Sequence, residues 1–452
     1  MPKAKSKFVC QNCGASYPKW AGRCENCGAW NTLLEVAPTE VGGKSAVARS
    51  SGQPIRAERI ADVKIDTVSR RIDTGIPDLN NVLGGGLMTG GVTLIAGQPG
   101  IGKSTILMQI ASFIAKGKKV LYASGEESAS QVKLRAERLG ASASDNLYLT
   151  STTSADDVAA TIGTGEYDVA IVDSMQTMSM AEISSAPGTV SQITNCANIL
   201  IRAAKSTDTS VILVGHITKN GAIAGPKVLE HLVDVVLSFE GDRYGGFKML
   251  RAVKNRYGST SEVAIFDMTD HGLEVVQNPS AALLAERSDT DGSIVLATLE
   301  GNRPLLVEVQ ALVNKTQFGY PKRAASGFSL ERLTLLIAVL ERRTKLNLSD
   351  KDIFINVVGG LKLNDRASDL AICMAIASAA AERKLREGGV VFGEVGLGGE
   401  IRSASLPDRR VNEAKKLGFT YAVAPRSAAR NNKGFVIPAT DLRDALNQHL
   451  TK

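Results

Sequence analysis

The sequence predicts an α/β chain built on a parallel sheet, preceded by a small cysteine-held module and followed by an α+β domain. Three observations predict it. An apolar run at 92–96 leads through a glycine-rich turn into a helical pattern at 106–116. Further apolar runs at 120–124 and 167–172 end at carboxylates, as parallel strands do at a ligand crevice. Four of the six cysteines fall within 18 residues near the N-terminus.

The cysteines come first in the chain. Cys10 and Cys13 form one CxxC pair, Cys24 and Cys27 a second. Each pair can turn two thiolates onto one ion, and Gly14 and Gly28 follow them. Two such pairs predict a closed tetrahedral zinc site with four sulfur ligands and no open coordination position. Tyr17, Lys19, Trp20, Arg23 and Trp30 surround the cysteines. They would either contact nucleic acid or shield the metal, and both readings stand at this point. Cys196 and Cys373 lie in apolar helical patterns and read as core. Residues 37–60, rich in Ala, Gly, Ser and Pro, read as a linker.

The glycine-rich turn is a Walker A loop in its required setting, after a strand and before a helix. It runs Gly97, Gln98, Pro99, Gly100, Ile101, Gly102, Lys103, Ser104, Thr105. Its backbone N–H groups and the helix N-terminus suit phosphates. Lys103 is expected at the β- and γ-phosphates, and Ser104 at Mg²⁺. Asp173, at the end of the run 167–172, fits the Walker B role. Glu126 and Glu127 follow the run 120–124, and either could polarise the attacking water. A fourth strand at 211–215 precedes His216, as suited to a structural role as to sensing the γ-phosphate.

This order of strand, P-loop, helix, strand with paired glutamates and strand with Asp-Ser resembles the RecA-like ATPase core. The lead-in at 74–86 is similar to that shared by KaiC- and RecA-type ATPases. Lys254, Asn255, Arg256, Tyr257 and Gly258 resemble the KNRFG motif of the bacterial RadA (Sms) family, with Tyr for the usual Phe. The resemblance implies that Lys254 and Arg256 reach the γ-phosphate bound by a neighbouring subunit. It also implies that the loop carrying Lys219 and Lys227 faces a central channel and binds DNA.

From about 281 the pattern changes. Strands at 293–298 and 305–312, a helix at 329–343, a strand at 353–358, a helix at 369–384 and strands at 392–397 and 399–402 are expected. This order resembles the Lon-protease-like domain of the RadA family. Alignment to the peptidases puts Ala367 at the serine and Asp408 at the lysine, so the reading is a non-proteolytic scaffold. Its candidate DNA-facing cations are Lys322, Arg323, Arg342, Arg343, Lys345, Arg409 and Arg410.

The expected fold is thus a RecA-like P-loop ATPase core, an N-terminal zinc knuckle and a C-terminal Lon-protease-like domain. The expected boundaries are 1–36, 37–60, 61–280 and 281–452. The resemblance implies a DNA-dependent ATPase and helicase of recombination and repair using ATP, Mg²⁺ and Zn²⁺. It implies a hexameric ring on single-stranded and branched DNA, working with the recombinase RecA in branch migration. A KaiC-like ATPase acting on proteins and an active Lon-type peptidase are the alternatives. Charge agrees with DNA at the chain's ends. Residues 1–60 carry +5, residues 61–280 carry −4 and residues 281–452 carry +6. No run of ~18 apolar residues is present, so no membrane span is expected and a cytoplasmic, nucleoid-associated location is.

Overall fold

The computed structural model describes residues 7–11, 15–36, 59–62, 71–141, 144–217, 223–224, 228–241, 246–287, 289–317 and 319–450. Cys13, Lys219 and Lys227 lie outside them. The chain divides into two compact units. One comprises Met1–Phe239, Leu250–Thr260 and Thr269–Leu273, the other Glu240–Met249, Ser261–Met268 and Glu274–Lys452.

The first unit is organised by a sheet. Its parallel strands run in the order Leu147–Ser151, Val120–Ser124, Val169–Asp173, Ser210–Ile217, Val92–Gly97, Val235–Gly241. Val92–Gly97 and Val169–Asp173 are buried along their whole length. That is why they read as unbroken apolar runs rather than alternating ones. Helix Lys103–Ile114 begins three residues before the pattern at 106 suggests. Its N-cap, Gly102, has a φ of 114°, which only glycine adopts without strain.

The cysteine module is a three-stranded antiparallel ribbon of Lys7–Cys10, Ser16–Tyr17 and Leu33–Val36. Its last strand rests on helix Val190–Thr207. The Glu35 carbonyl accepts from Ser191 Oγ (3.1 Å) and Asn195 Nδ2 (3.0 Å), and its carboxylate accepts from Ser184 Oγ (3.2 Å). The ribbon is therefore anchored on the sheet unit through a buried glutamate.

The second unit has a seven-stranded sheet. The order is Arg323–Ser326, Lys351–Val357, Arg303–Lys315, Ser293–Glu300, Gly389–Val391, Tyr421–Pro425, Val436–Ala439. Helix Asp369–Ala381 is buried from Asp369 to Ala379, so it shows no amphipathic stripe. It ends at Glu382, whose φ of 53° is left-handed, and not at 384. The strand expected at 392–397 is reduced to Glu394–Val395, paired with Ile401–Arg402.

At the two peptidase positions the side chains have other employment. Ala367 is buried, and the neighbouring Ser368 hydroxyl donates to the Asp365 carbonyl at 2.7 Å. Asp408 accepts from Asn432 Nδ2 (2.7 Å) and Asn431 Nδ2 (3.0 Å). Arg410 corrects the sequence reading. It is not a surface cation but fully buried, donating to Asp365 Oδ2 (2.6 Å), the Ala297 carbonyl (2.7 Å) and the Ser405 carbonyl (2.9 Å). Removing one partner of a buried pair strands the other charge. Asp365→Ala should therefore cost about 3–5 kcal/mol, read as a lowered unfolding midpoint of this unit in denaturant. An unchanged midpoint would show that Arg410 is satisfied by carbonyls alone.

Candidate nucleotide and metal sites

Lys103 heads its helix with its side chain folded back over the loop. Its ammonium donates to the Gly97 carbonyl (2.9 Å), the Gln98 carbonyl (3.1 Å) and His216 Nδ1 (3.2 Å). An ammonium can only donate, so Nδ1 accepts and the imidazole carries its proton on Nε2. Burial pulls the Lys103 pKa down to about 8, against the opposing pull of Asp173 and Glu126. His216 Nε2 then donates to Glu126 Oε1 at 3.0 Å, and Ser174 Oγ donates to the same oxygen. These hydrogen bonds, His216 first, hold the Glu126 carboxyl down at about 2. Lys103, His216, Glu126 and Ser174 thus form one chain across the strand ends.

The two glutamates separate. Glu127 points elsewhere, into an ion pair with Arg135 of helix Ala129–Arg138, and its backbone N–H donates to Ser124 Oγ at 3.0 Å. Asp173 is buried and accepts from the Tyr122 hydroxyl at 2.8 Å. Burial and the Asp173 charge push the Tyr122 pKa well up. The carboxylate keeps a second oxygen for other partners. The residues fit a nucleotide with Mg²⁺. The loop has open space at Gly100, whose φ is 80° and where an added methyl would meet nothing within 4 Å. The Lys103 ammonium lies on the loop's carbonyls, with the Asp173 carboxylate near enough to act on its charge. Ser104 and Asp173 would hold Mg²⁺, which neutralises phosphate charge when bound.

Lys254 and Arg256 lie at the other end of the same strands. Asp234 accepts from the Val92 N–H (3.1 Å), at the start of the strand that ends in the P-loop, and from Arg256 Nη1 (3.1 Å). Five residues of strand separate Val92 from Gly97, or roughly 17 Å. Lys254 caps the helix Val228–Leu232, donating to the carbonyls of Glu230 (2.7 Å), His231 (3.3 Å) and Val233 (2.7 Å). Burial and the neighbouring Arg256 lower its pKa. Arg256 is more than half exposed. The Tyr257 hydroxyl, the departure from the motif's phenylalanine, hydrogen-bonds Asp234, while burial takes its pKa up to about 12. The turn is seated on Gly84, where a methyl would stand 2.8 Å from the Tyr257 carbonyl oxygen. Arg71 fixes it further by donating to that same carbonyl at 2.9 Å.

In the ribbon, the sulfurs of Cys10, Cys24 and Cys27 all lie within 4.8 Å of one another, and no disulfide joins them. Cys10 and Cys27 are 3.7 Å apart. A tetrahedron with zinc–sulfur bonds of ~2.3 Å has edges of ~3.8 Å, so the spacing fits zinc. The Tyr17 hydroxyl bonds the Cys24 sulfur at 3.4 Å and draws its pKa down to about 6, favouring the thiolate a metal needs. Cys24→Ser should drop bound zinc from one per chain to well under half, measured on purified protein. Unchanged zinc would refute the site. Cys196 and Cys373 are fully buried, as expected, and burial raises both thiols.

A model of the AAA domain matches residues 56–222, and one of the rubredoxin metal binding domain matches residues 8–35. The DNA repair protein RadA of Halalkalibacterium halodurans is 47% identical over 97% of this chain and 96% of its own. That of Pseudomonas aeruginosa is 45% identical over 99% of each. The chain belongs to the RadA family. Its fold is a RecA-like α/β core with a parallel sheet and an N-terminal zinc ribbon. A solved RadB recombinase is 22% identical, with a TM-score of 0.37, covering 46% of this chain and 100% of that one.

Within this RadA-family chain, three residues of the site carry no role from sequence and a fourth was left open. Ser174 was visible as the residue after Asp173, but its bond to Glu126 spans 48 positions. Tyr122, inside a buried strand, looks like core until Asp173 is set beside it. Arg135 sits in a polar helix among other charges. His216, left open between two roles, contacts both Lys103 and Glu126. Among the described residues, no helix is long and apolar enough to cross a membrane.

Proposed function

We propose that the chain is a DNA-dependent ATPase and translocase of homologous recombination and repair, working as a homo-oligomeric ring. One observation carries this reading. The phosphate-binding loop and the exposed Arg256 lie at opposite ends of one set of strands, so a subunit cannot bring its own arginine to its own nucleotide. A ring puts one subunit's Lys254–Arg256 turn beside the next subunit's P-loop, where a cation stabilises charge developing on the transferred phosphoryl group.

On this reading Lys103 positions the phosphates, Glu126 orients and polarises water, and Asp173 and Ser104 hold Mg²⁺. Lys254 first has to leave the three carbonyls it caps, or else it positions Arg256. Lys219 and Lys227 contact single-stranded DNA in the channel, and hydrolysis moves that loop between states. The substrates are single-stranded and branched DNA, and the partner is the recombinase RecA during branch migration. The second unit is a Lon-like scaffold without peptidase chemistry, and the protein works in the cytoplasm at the nucleoid. The residues at 367 and 408 argue against the peptidase alternative.

The test is ATP-dependent displacement of a strand from a tailed duplex, with and without recombinase. Displacement that needs ATP and a single-stranded tail supports the reading. ATP hydrolysis unmoved by single-stranded DNA at any salt concentration would favour a KaiC-like ATPase acting on proteins.

A further inference from the structure

The ribbon carries a surface that the nucleotide chemistry does not use. Trp20 is 58% exposed and Trp30 70% exposed. Indoles are rarely so open, because burying them contributes more than burying most side chains. The two form one patch. A methyl placed at Gly22 would touch Trp20 Cη2 at 3.8 Å and Trp30 Cζ3 at 4.0 Å. Neither belongs to the buried cluster around Cys10 and Cys24. The small core of the ribbon packs Cys10, Cys24 and Leu33 against Phe8, Ala15, Tyr17 and Ala21.

Cations frame the patch. The Arg23 guanidinium lies 5.8 Å from the centre of the Trp30 ring, and its Nε donates to the Gly28 carbonyl at 3.0 Å. A bridge between the backbones of Arg23 and Trp30 sets that pairing. Lys19, next to Trp20, is exposed. Of the two acidic residues between 1 and 36, Glu35 is buried against helix Val190–Thr207. Flat, exposed π-faces beside positive charge are what unstacked bases and their phosphates require.

We propose that Trp20 and Trp30 are a stacking platform for bases of single-stranded DNA, with Arg23 and Lys19 on its phosphates. The proposal rests on the DNA reading above and adds a contact outside the channel loop. Anchoring of the ribbon through Glu35 holds the platform in a fixed relation to the sheet of its unit.

The chain has only two tryptophans, so emission excited selectively in tryptophan, and not in its eight tyrosines, reports on this patch alone. Two titrations of the full-length, zinc-loaded protein with oligothymidine separate the questions. Anisotropy of a labelled oligonucleotide measures binding, and tryptophan emission measures where it occurs. The expected result is quenching that saturates together with binding. Trp20→Ala and Trp30→Ala should each weaken binding roughly five- to hundred-fold, Trp→Phe much less, with zinc content and DNA-free ATPase unchanged. Binding that saturates with no change in emission, or parental affinity in both alanine variants, overturns the platform while leaving the DNA reading intact. No binding at low salt overturns both.

Discussion

Lys103→Ala is expected to abolish ATP hydrolysis. The Lys103 ammonium lies on the Gly97 and Gln98 carbonyls, within reach of any phosphate held by the loop. Alanine removes that ammonium and with it the loop's own lysine charge for the β- and γ-phosphates, which a metal ion alone does not replace. Turnover at the parental rate would remove the P-loop assignment. A pH dependence comes with it. Free of ligand, Lys103 has its pKa lowered to about 8 by burial. Bound phosphates favour the charged form and raise it. Nucleotide affinity should therefore be full below pH 8 and fall above it, by up to about tenfold per unit. Lys103→Arg, which stays charged, should flatten that fall. A flat profile in the parent would mean the lysine is not desolvated.

Glu126→Gln should lower turnover by about 10²–10⁴-fold with nucleotide binding retained, the range expected for losing a group that polarises water. Glu127→Gln should change turnover by less than about tenfold, because that carboxylate is spent on Arg135. The contrast comes from geometry. Glu126 lies in the hydrogen-bonded chain with His216 and Lys103, and Glu127 lies outside it. Single-turnover hydrolysis checks both variants. The reverse order of effects would reassign the two residues.

The local features of this chain were legible in its sequence, and the tertiary ones were not. The P-loop and the cysteine pairs are short-range patterns whose spacing states their chemistry. Strands 92–97 and 169–173 announce themselves because burial on both faces makes them continuously apolar. Leu147–Ser151 gave no such signal. It is an edge strand with only Leu147 and Thr150 partly covered among exposed or half-exposed neighbours. The short strand at 394–395 was over-read, since Gly393 and Gly396 flank it and interrupt the ladder. Arg410 looked like a surface cation because the carboxylate that buries it, Asp365, is 45 residues away. The separation of Glu126 from Glu127 likewise depends on His216 and Arg135, which sequence distance hides.

In the proposed ring each catalytic site is completed between subunits, the P-loop from one and Arg256 from the next. Mixing two inactive variants tests it most directly. Lys103→Ala lacks a working P-loop and Arg256→Ala lacks the donated cation. Co-assembled in equal amounts, they create interfaces that join an intact P-loop to an intact Arg256. The mixture should regain roughly a quarter of parental ATPase activity, as random pairing at each interface would give. A mixture as inactive as its components, with mixed assembly confirmed by differently tagged chains, would contradict it.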